Sequence, residues 1–219
     1  MTTSKLEYIE EKPFNGKNAK KLMIFLHGYG TDMYDLFGLR NNFIDILPDT
    51  HFISVNAPYD CEFGNGYQWF SLKSMDVNYI YKEIRKNYKI VNDFIDEQVK
   101  RLNIDYKDVI LVGFSQGTMM SLFASLRNKN KLFAVVGFSG ILADKLENLK
   151  TELKTKQNIL LVHGTDDKVI PYEYFSLTEK LLRAVDIDFV SATSFGLDHG
   201  IDLYGIQKAR NYLESLLQS

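Results

Sequence analysis

Six short apolar runs set the frame of this chain: Leu22 to Leu26, Phe52 to Val55, Val109 to Val112, Phe133 to Phe138, Ile159 to Val162 and Ile187 to Val190. Each is too short for an ordinary helix and too uniformly apolar for a sheet with one wet face, so they read as strands buried on both sides. Between them, Val77, Ile80, Ile84, Tyr88, Val91, Ile95, Val99 and Leu102 recur every three or four residues, the face of one helix that ends before the turn at Asp105. Further helices are expected over Gln116 to Leu126, along Tyr174, Leu177, Leu181 and Val185, and along Ile206, Ala209, Leu213 and Leu216. Buried strands joined by helices imply an α/β architecture: a mainly parallel central sheet with helices on both faces and functional residues at the carboxyl ends of the strands.

A chain of 219 residues, 45% of them hydrophobic, can bury one substantial core, and no Pro/Gly/Ser-rich linker divides it. One domain over residues 1–219 is expected. The 26 basic and 28 acidic residues are interspersed and nearly cancel, which removes the basic stripe that nucleic acid would need. Cys61 is the lone cysteine, so no internal disulfide or thiolate metal site is expected, and a reducing, cytoplasmic setting fits. Met1 to Tyr8 lacks a leader pattern, no apolar run approaches the roughly 18 residues that span a bilayer, and position 2 and the C-terminus carry no lipidation signal.

Gly113-Phe114-Ser115-Gln116-Gly117 lies between the run ending at Val112 and the helical stretch after it. A serine hydroxyl is a weak nucleophile, and a sharp strand-to-helix turn exposes it to a base; glycines on either side allow the close approach that such a turn needs. The general base must come from His27, His51, His163 or His199. His51 stands at a strand entrance, the wrong end of the sheet. His27 and His163 each close a strand before a glycine and read as hydrogen-bonded loop histidines. His199, in the loop after the last strand and before the last helix, is free to swing over the serine. The acid that orients it comes from the loop after His163: its position ahead of Val169-Ile170-Pro171 favours Asp167, with Asp166 read as the residue capping the turn and Asp198 as a turn or helix cap. Oxyanion donors are expected from backbone amides, one at Gln116 and one at Tyr29 in the loop Leu26-His27-Gly28-Tyr29-Gly30; losing one such donor costs about 3 kcal/mol of transition-state stabilisation.

Residues 60–75 differ from the rest, with Gly64 and Gly66 among Phe63, Tyr67, Trp69, Phe70 and Leu72 and no helical or strand period. Two readings stay open: a loop packed on the core by its own side chains, or a lid over an acyl pocket.

Taken in order, Leu26-His27-Gly28-Tyr29-Gly30, Gln68-Trp69-Phe70, Gly113-Phe114-Ser115-Gln116-Gly117, His163-Gly164-Thr165-Asp166-Asp167-Lys168-Val169-Ile170-Pro171 and Asp198-His199-Gly200 resemble the phospholipase/carboxylesterase family, which includes the acyl-protein thioesterases. The resemblance runs from about Lys21 to the C-terminus. It implies an α/β-hydrolase fold, a catalytic triad of Ser115, Asp167 and His199, and oxyanion amides at Tyr29 and Gln116. It also implies acyl-chain contacts from Trp69 and Phe70, and Leu72 of the same segment is expected to bind substrate beside them. The sequence departs from the family at Tyr29, where many relatives carry leucine, and at Asp198, where others carry a small residue.

The expected activity is hydrolysis of carboxylic esters or thioesters, of short-to-medium acyl chains, through a Ser115 acyl-enzyme with no metal or cofactor. Small esters, lysophospholipids and S-acylated proteins all remain candidate substrates. Two other classes are weighed beside it: a non-catalytic binding protein on the same fold, and a peripheral protein whose Phe63, Tyr67, Trp69, Phe70, Leu72 and Met75 touch a membrane or a second copy in a homodimer.

Overall fold

The computed structural model describes residues 6–218; residues 1–5, read above for a leader, and Ser219 lie outside the described residues. In chain order the elements are β1 (Tyr8–Glu11), β2 (Lys21–Leu26), α1 (Met33–Phe37), β3 (Thr50–Val55), β4 (Tyr59–Asp60), β5 (Tyr67–Gln68), α2 (Val77–Asn87) and α3 (Lys89–Leu102). They continue with β6 (Val109–Phe114), α4 (Gln116–Leu126), β7 (Ala134–Phe138), α5 (Leu146–Glu152), β8 (Ile159–Gly164), α6 (Tyr172–Ala184), β9 (Phe189–Ser194) and α7 (Leu203–Leu217). Among these residues a seven-stranded sheet runs β1-β3-β2-β6-β7-β8-β9, parallel except for the antiparallel edge strand β1, and β4 and β5 form a separate hairpin.

Successive strand residues point to opposite faces, and the two halves of the core sort accordingly. Leu22, Ile24, Leu26, Ile53, Leu111, Val135 and Leu161 pack with α2 to α6, while Met23, Phe25, Phe52, Ile110, Val136 and Leu160 pack with α1 and α7. Both faces are therefore dry along β2, β3, β6, β7 and β8, which is why those runs read as continuous apolar stretches; the expectation of two buried faces fails for the last run, where Val190 on the edge strand β9 is 46% exposed. The parallel register aligns strand ends: Gly113 pairs with Leu26 and Gly137, and Phe138 with Val162, so the loops that follow β2, β6, β7 and β8 leave the sheet side by side.

Helices α1 and α5 and the β4–β5 hairpin lie outside the expected elements, and three further differences have a clear physical cause. The edge strand β1 was not foreseen, because Tyr-Ile-Glu-Glu is only partly buried and lacks a buried strand's composition. The last strand begins at Phe189 rather than Ile187: Asp186 adopts φ 57°, and the amides of Asp186 and Ile187 bond back to Arg183 and Leu182, closing α6 with buried Ile187 against Leu182. Ile187 is a helix-capping residue, not a strand residue. The single helix expected from Val77 to Leu102 is two helices broken at Tyr88. There the Asn87 side-chain amide bonds the Glu83 carbonyl, its oxygen accepts the Tyr59 hydroxyl, and Val91 bonds Tyr88 three residues back. The apolar spacing survives the break, so periodicity alone does not reveal it. No helix among the described residues is long and apolar enough to cross a membrane.

The helices on the α2 to α6 face are tied by a partly buried ion network. Arg127, at the end of α4, donates to Asp144 (2.7 Å) and Glu152 (2.9 Å), and Arg85 of α2 grips Glu152 with two further bonds. Burial pushes the Asp144 carboxyl up despite Arg127, whereas hydrogen bonds from Arg85, then Arg127, hold Glu152 at about 2. Breaking a buried pair from one side leaves a bare charge. Arg127→Met is expected to destabilise the protein by about 3 kcal/mol in urea unfolding, and adding Asp144→Leu to recover most of the loss.

Candidate active site

Ser115 stands between β6 and α4 with φ 52° and ψ −115°, a backbone conformation that costs a residue with a Cβ roughly 1–3 kcal/mol. Its amide extends the sheet by bonding Phe138 O (2.9 Å). Two backbone approaches over-determine the turn. A Cβ on Gly117 would lie 1.9 Å from Leu26 O at the end of β2, and one on Gly113 2.5 Å from the Thr118 amide. Both motif glycines are thus required by main chain, which no rotamer change relieves.

The structure brings Ser115, His199 and Asp167 into one chain of contacts. His199 Nε2 is 3.0 Å from Ser115 Oγ, and its Nδ1 is 2.7 Å from Asp167 Oδ2. Phe114 packs against the imidazole at 5.0 Å between centroids. Asp167 is buried, and its Oδ1 accepts the amides of Val169 (2.9 Å) and Ile170 (2.8 Å). The expectation that Asp166 caps this turn is corrected: Asp167 caps it with one oxygen and meets His199 with the other, while Asp166 accepts only the Thr165 hydroxyl beside it. Asp198 bonds the amides of His199 and Lys168, which hold its carboxyl below the ordinary range and join the two loops. The cap of α7 falls to Asp202, whose carboxylate accepts the Gly205 amide. Ser139, at φ 46° one strand over from Ser115, donates its hydroxyl to Gly200 O and tethers the loop that carries His199. Nothing in the sequence distinguishes it beyond the Phe-Ser-Gly that mimics the start of the serine turn.

The other histidines are structural or lie behind the site. His51 pairs with Glu10 (2.8 Å) at the opposite end of the sheet. His27 is fully buried, accepts the Ala57 amide at Nε2 and therefore donates Nδ1–H to Gly28 O (2.6 Å); burial holds it below the ordinary histidine pKa. His163 lies behind Asp167.

Beside Ser115 stand two groups of backbone amides. Gln116 opens α4, so its N–H has no partner within the helix. Tyr29 follows Gly28, where a Cβ would sit 3.5 Å from Ser115 Cβ, so this loop lies directly against the serine. Residues 60–75 hold both in place. Tyr67 exchanges two hydrogen bonds with the loop, to Gly30 and Thr31, and the Tyr29 hydroxyl accepts the Phe63 amide. Trp69 donates its indole N–H to His27 O (2.9 Å), and the Gln116 side chain brackets the Trp69 amide (2.8 Å) and Phe70 O (2.7 Å).

Trp69 and Phe70, expected to touch an acyl chain, are 1% and 0% exposed. That expectation is corrected: their rings fill the core, and their polar atoms fasten the hairpin to the serine turn. Leu72 is half-buried on the edge of the same core. Of the residues considered for a membrane or partner surface, Phe63 and Met75 are exposed. The bracketing role of the Gln116 side chain went unforeseen, because a glutamine after the serine signals only its amide.

A parallel sheet carrying a strained serine on a strand-to-helix turn, with a histidine and an aspartate from later loops, is an α/β-hydrolase fold. The description phospholipase/carboxylesterase matches residues 10–217, and the chain belongs to that family. Among curated relatives it is 27% identical to "Acyl-protein thioesterase 1" of Kluyveromyces lactis, covering 91% of this chain and 93% of the other, and 24% identical to "Esterase YpfH" of Escherichia coli, covering 90% and 83%. Among solved structures, esterase PE8 superposes with a TM-score of 0.91 at 32% identity, over 97% of this chain and 100% of that one.

Trp69→Phe keeps one aromatic ring but removes the indole N–H with its five-membered ring, leaving His27 O unpaired and a small void in the core. It is expected to destabilise the protein by about 1–3 kcal/mol in urea unfolding, the cost of a buried carbonyl left unpaired, and, through loosening of the hairpin that braces the serine turn, to lower kcat for p-nitrophenyl butyrate about tenfold with KM within twofold. A change in KM alone would mean that Trp69 contacts substrate after all.

Proposed function

We propose that this protein is a serine hydrolase that cleaves carboxylic esters or thioesters of short-to-medium acyl chains, with Ser115 as nucleophile, His199 as base and Asp167 as its orienting acid. The observation that carries the reading is the pair of contacts at His199, 3.0 Å to Ser115 Oγ and 2.7 Å to Asp167 Oδ2. Asp167 holds the Nδ1–H tautomer, which leaves the Nε2 lone pair facing the serine hydroxyl. As Oγ attacks the acyl carbon, its proton passes to Nε2, and Asp167 stabilises the imidazolium. The negative charge on the substrate oxygen is met by the Tyr29 and Gln116 amides. Nε2 then returns the proton to the departing alcohol or thiol. A water deprotonated by the same nitrogen cleaves the acyl-enzyme and restores Ser115.

An apolar cavity of about 290 Å³ beside this site supports the chain-length reading. Met75, Val77, Met119, Ile141, Ile170 and Tyr174 line it; Met119 is one turn beyond Ser115 on α4, and Ile170 follows the Asp167 loop. It stands at the small end of the roughly 300–1,000 Å³ typical of ligand pockets. A second apolar cavity of about 400 Å³ continues beyond it along α6, and Val77, Ile141 and Tyr174 line both. The relatives named acyl-protein thioesterases make protein S-acyl groups one substrate class for this pocket. The lone Cys61 fits a cytoplasmic setting.

Wild type is expected to hydrolyse p-nitrophenyl acetate, butyrate and octanoate, and Ser115→Ala to lose about 10³-fold or more in kcat. Equal rates for the two proteins would overturn the assignment, and silence from the wild type would favour a binding protein on this fold. Tyr174→Ala is expected to join the two cavities and to raise the octanoate-to-butyrate ratio of kcat/KM about tenfold, the scale on which a pocket discriminates methylenes. An unchanged ratio would place the acyl chain elsewhere.

A further inference from the structure

The reaction as described makes no use of His163, yet this histidine is fully buried directly behind the acid. Its Nε2 lies 2.8 Å from Ile170 O and 3.3 Å from Asp167 Oδ2, the same carboxylate oxygen that meets His199. Its Nδ1 is buried with no hydrogen-bond partner. These facts determine where the proton sits. A carbonyl and a carboxylate only accept, so a bare Nε2 lone pair facing both would be repelled, and a proton on Nδ1 would be an orphaned buried donor. The neutral Nε2–H tautomer avoids both penalties. Phe175 stacks on one face of the ring (5.1 Å, 28°) and Tyr172 meets it edge-on, so the ring has no alternative seat.

Asp167 lies within reach of the positive end of this N–H dipole. Its side chain has no exposed surface, and two backbone amides occupy Oδ1, leaving Oδ2 to His199 and His163. We propose that His163 is a positioning residue: its Nε2–H, bonded to the Ile170 carbonyl, stands as a fixed neutral dipole 3.3 Å from Asp167 Oδ2, keeping that carboxylate oriented and tempering the field Oδ2 exerts on His199. The inference rests on the triad reading given above.

The charged or titratable groups facing His163 are Asp167 and His199, with Tyr172 of α6 at its edge; Asp198 and Lys168 flank His199 on the two loops. Burial, opposed by the Ile170 carbonyl and by Asp167, holds His163 below the ordinary histidine range, so it stays neutral while His199 cycles.

His163→Phe retains a ring against Phe175 and removes the donor, whereas His163→Gln keeps an N–H near the Nε2 position. The phenylalanine variant is expected to lose about 10- to 100-fold in kcat for p-nitrophenyl butyrate, the scale of a small misplacement of a catalytic group, with KM within twofold. Once Oδ2 acts on His199 alone, the imidazolium is favoured. The acidic limb of kcat/KM is then expected to move to higher pH. Glutamine should restore most of both. Competent sites are counted by fluorophosphonate labelling of Ser115, so rates are per folded site. A per-site kcat and a limb unchanged in His163→Phe would overturn the proposal and leave His163 as filling.

Should His163→Phe not fold, nitrogen NMR of the wild type decides: a neutral Nε2–H tautomer held from pH 5 to 9 supports the proposal, and an Nδ1–H tautomer or a titration in that range overturns it. Failure of the hydrolase reading shows itself separately, as wild-type protein that fluorophosphonate does not label.

Discussion

A serine held at positive φ reverts to a relaxed turn unless its neighbours forbid it, and the architecture around Ser115 follows from that prohibition. The constraint is backbone against backbone: Gly117 presses on the carbonyl of Leu26, and Gly113 on the first turn of α4. For this to happen β2 and β6 must be adjacent and parallel, in a register that ends both at nearly the same level, and α4 must start directly after Ser115. The dry sheet supplies the rigidity. With side chains interlocked on both faces, the strands cannot slide to relieve the strain, so the stability of the core is what keeps the hydroxyl presented.

Much of this was legible in the chain because it rests on short-range rules. Fully apolar runs such as Val109 to Val112 and Ile159 to Val162 state that a strand has no wet face, and helical stretches between them state parallel order. Glycines around Ser115 state a close approach, and the placing of His199 after the last strand puts it at the correct edge. What escaped depends on partners far away in sequence. The edge strand β1 exists because β3 offers it hydrogen bonds, not because Tyr8 to Glu11 prefers to be extended. The break at Tyr88 comes from Asn87 meeting Tyr59, a contact that periodicity cannot encode. Trp69 looked like a ligand-binding aromatic because nothing local reveals that its indole reaches the His27 carbonyl.

The four histidines illustrate how one residue type is divided by surroundings. His51 is an ion-pair partner at the far end of the sheet, and His27 a buried strut whose two nitrogens are both committed to main chain. His199 alone keeps one nitrogen toward the cleft, because its other nitrogen is taken by a carboxylate with no access to water. Sequence context separated them by position along the chain; burial and hydrogen bonding separate them by what each nitrogen is free to do.

The hairpin of β4 and β5 has a stem and a tip with different obligations. Its stem is bonded to the Tyr29 loop and bracketed by Gln116, whereas Glu62 to Asn65 at the tip are exposed, with only Gly64, at φ 102°, holding its glycine by conformation. Change is therefore partitioned along a few residues of one hairpin. Insertions and substitutions at the tip can remodel the rim of the cleft, while the same changes past Gly66, where a Cβ would strike Thr31 O at 2.7 Å, reach the catalytic framework. Lineages of this fold can diversify what they admit without disturbing how they react.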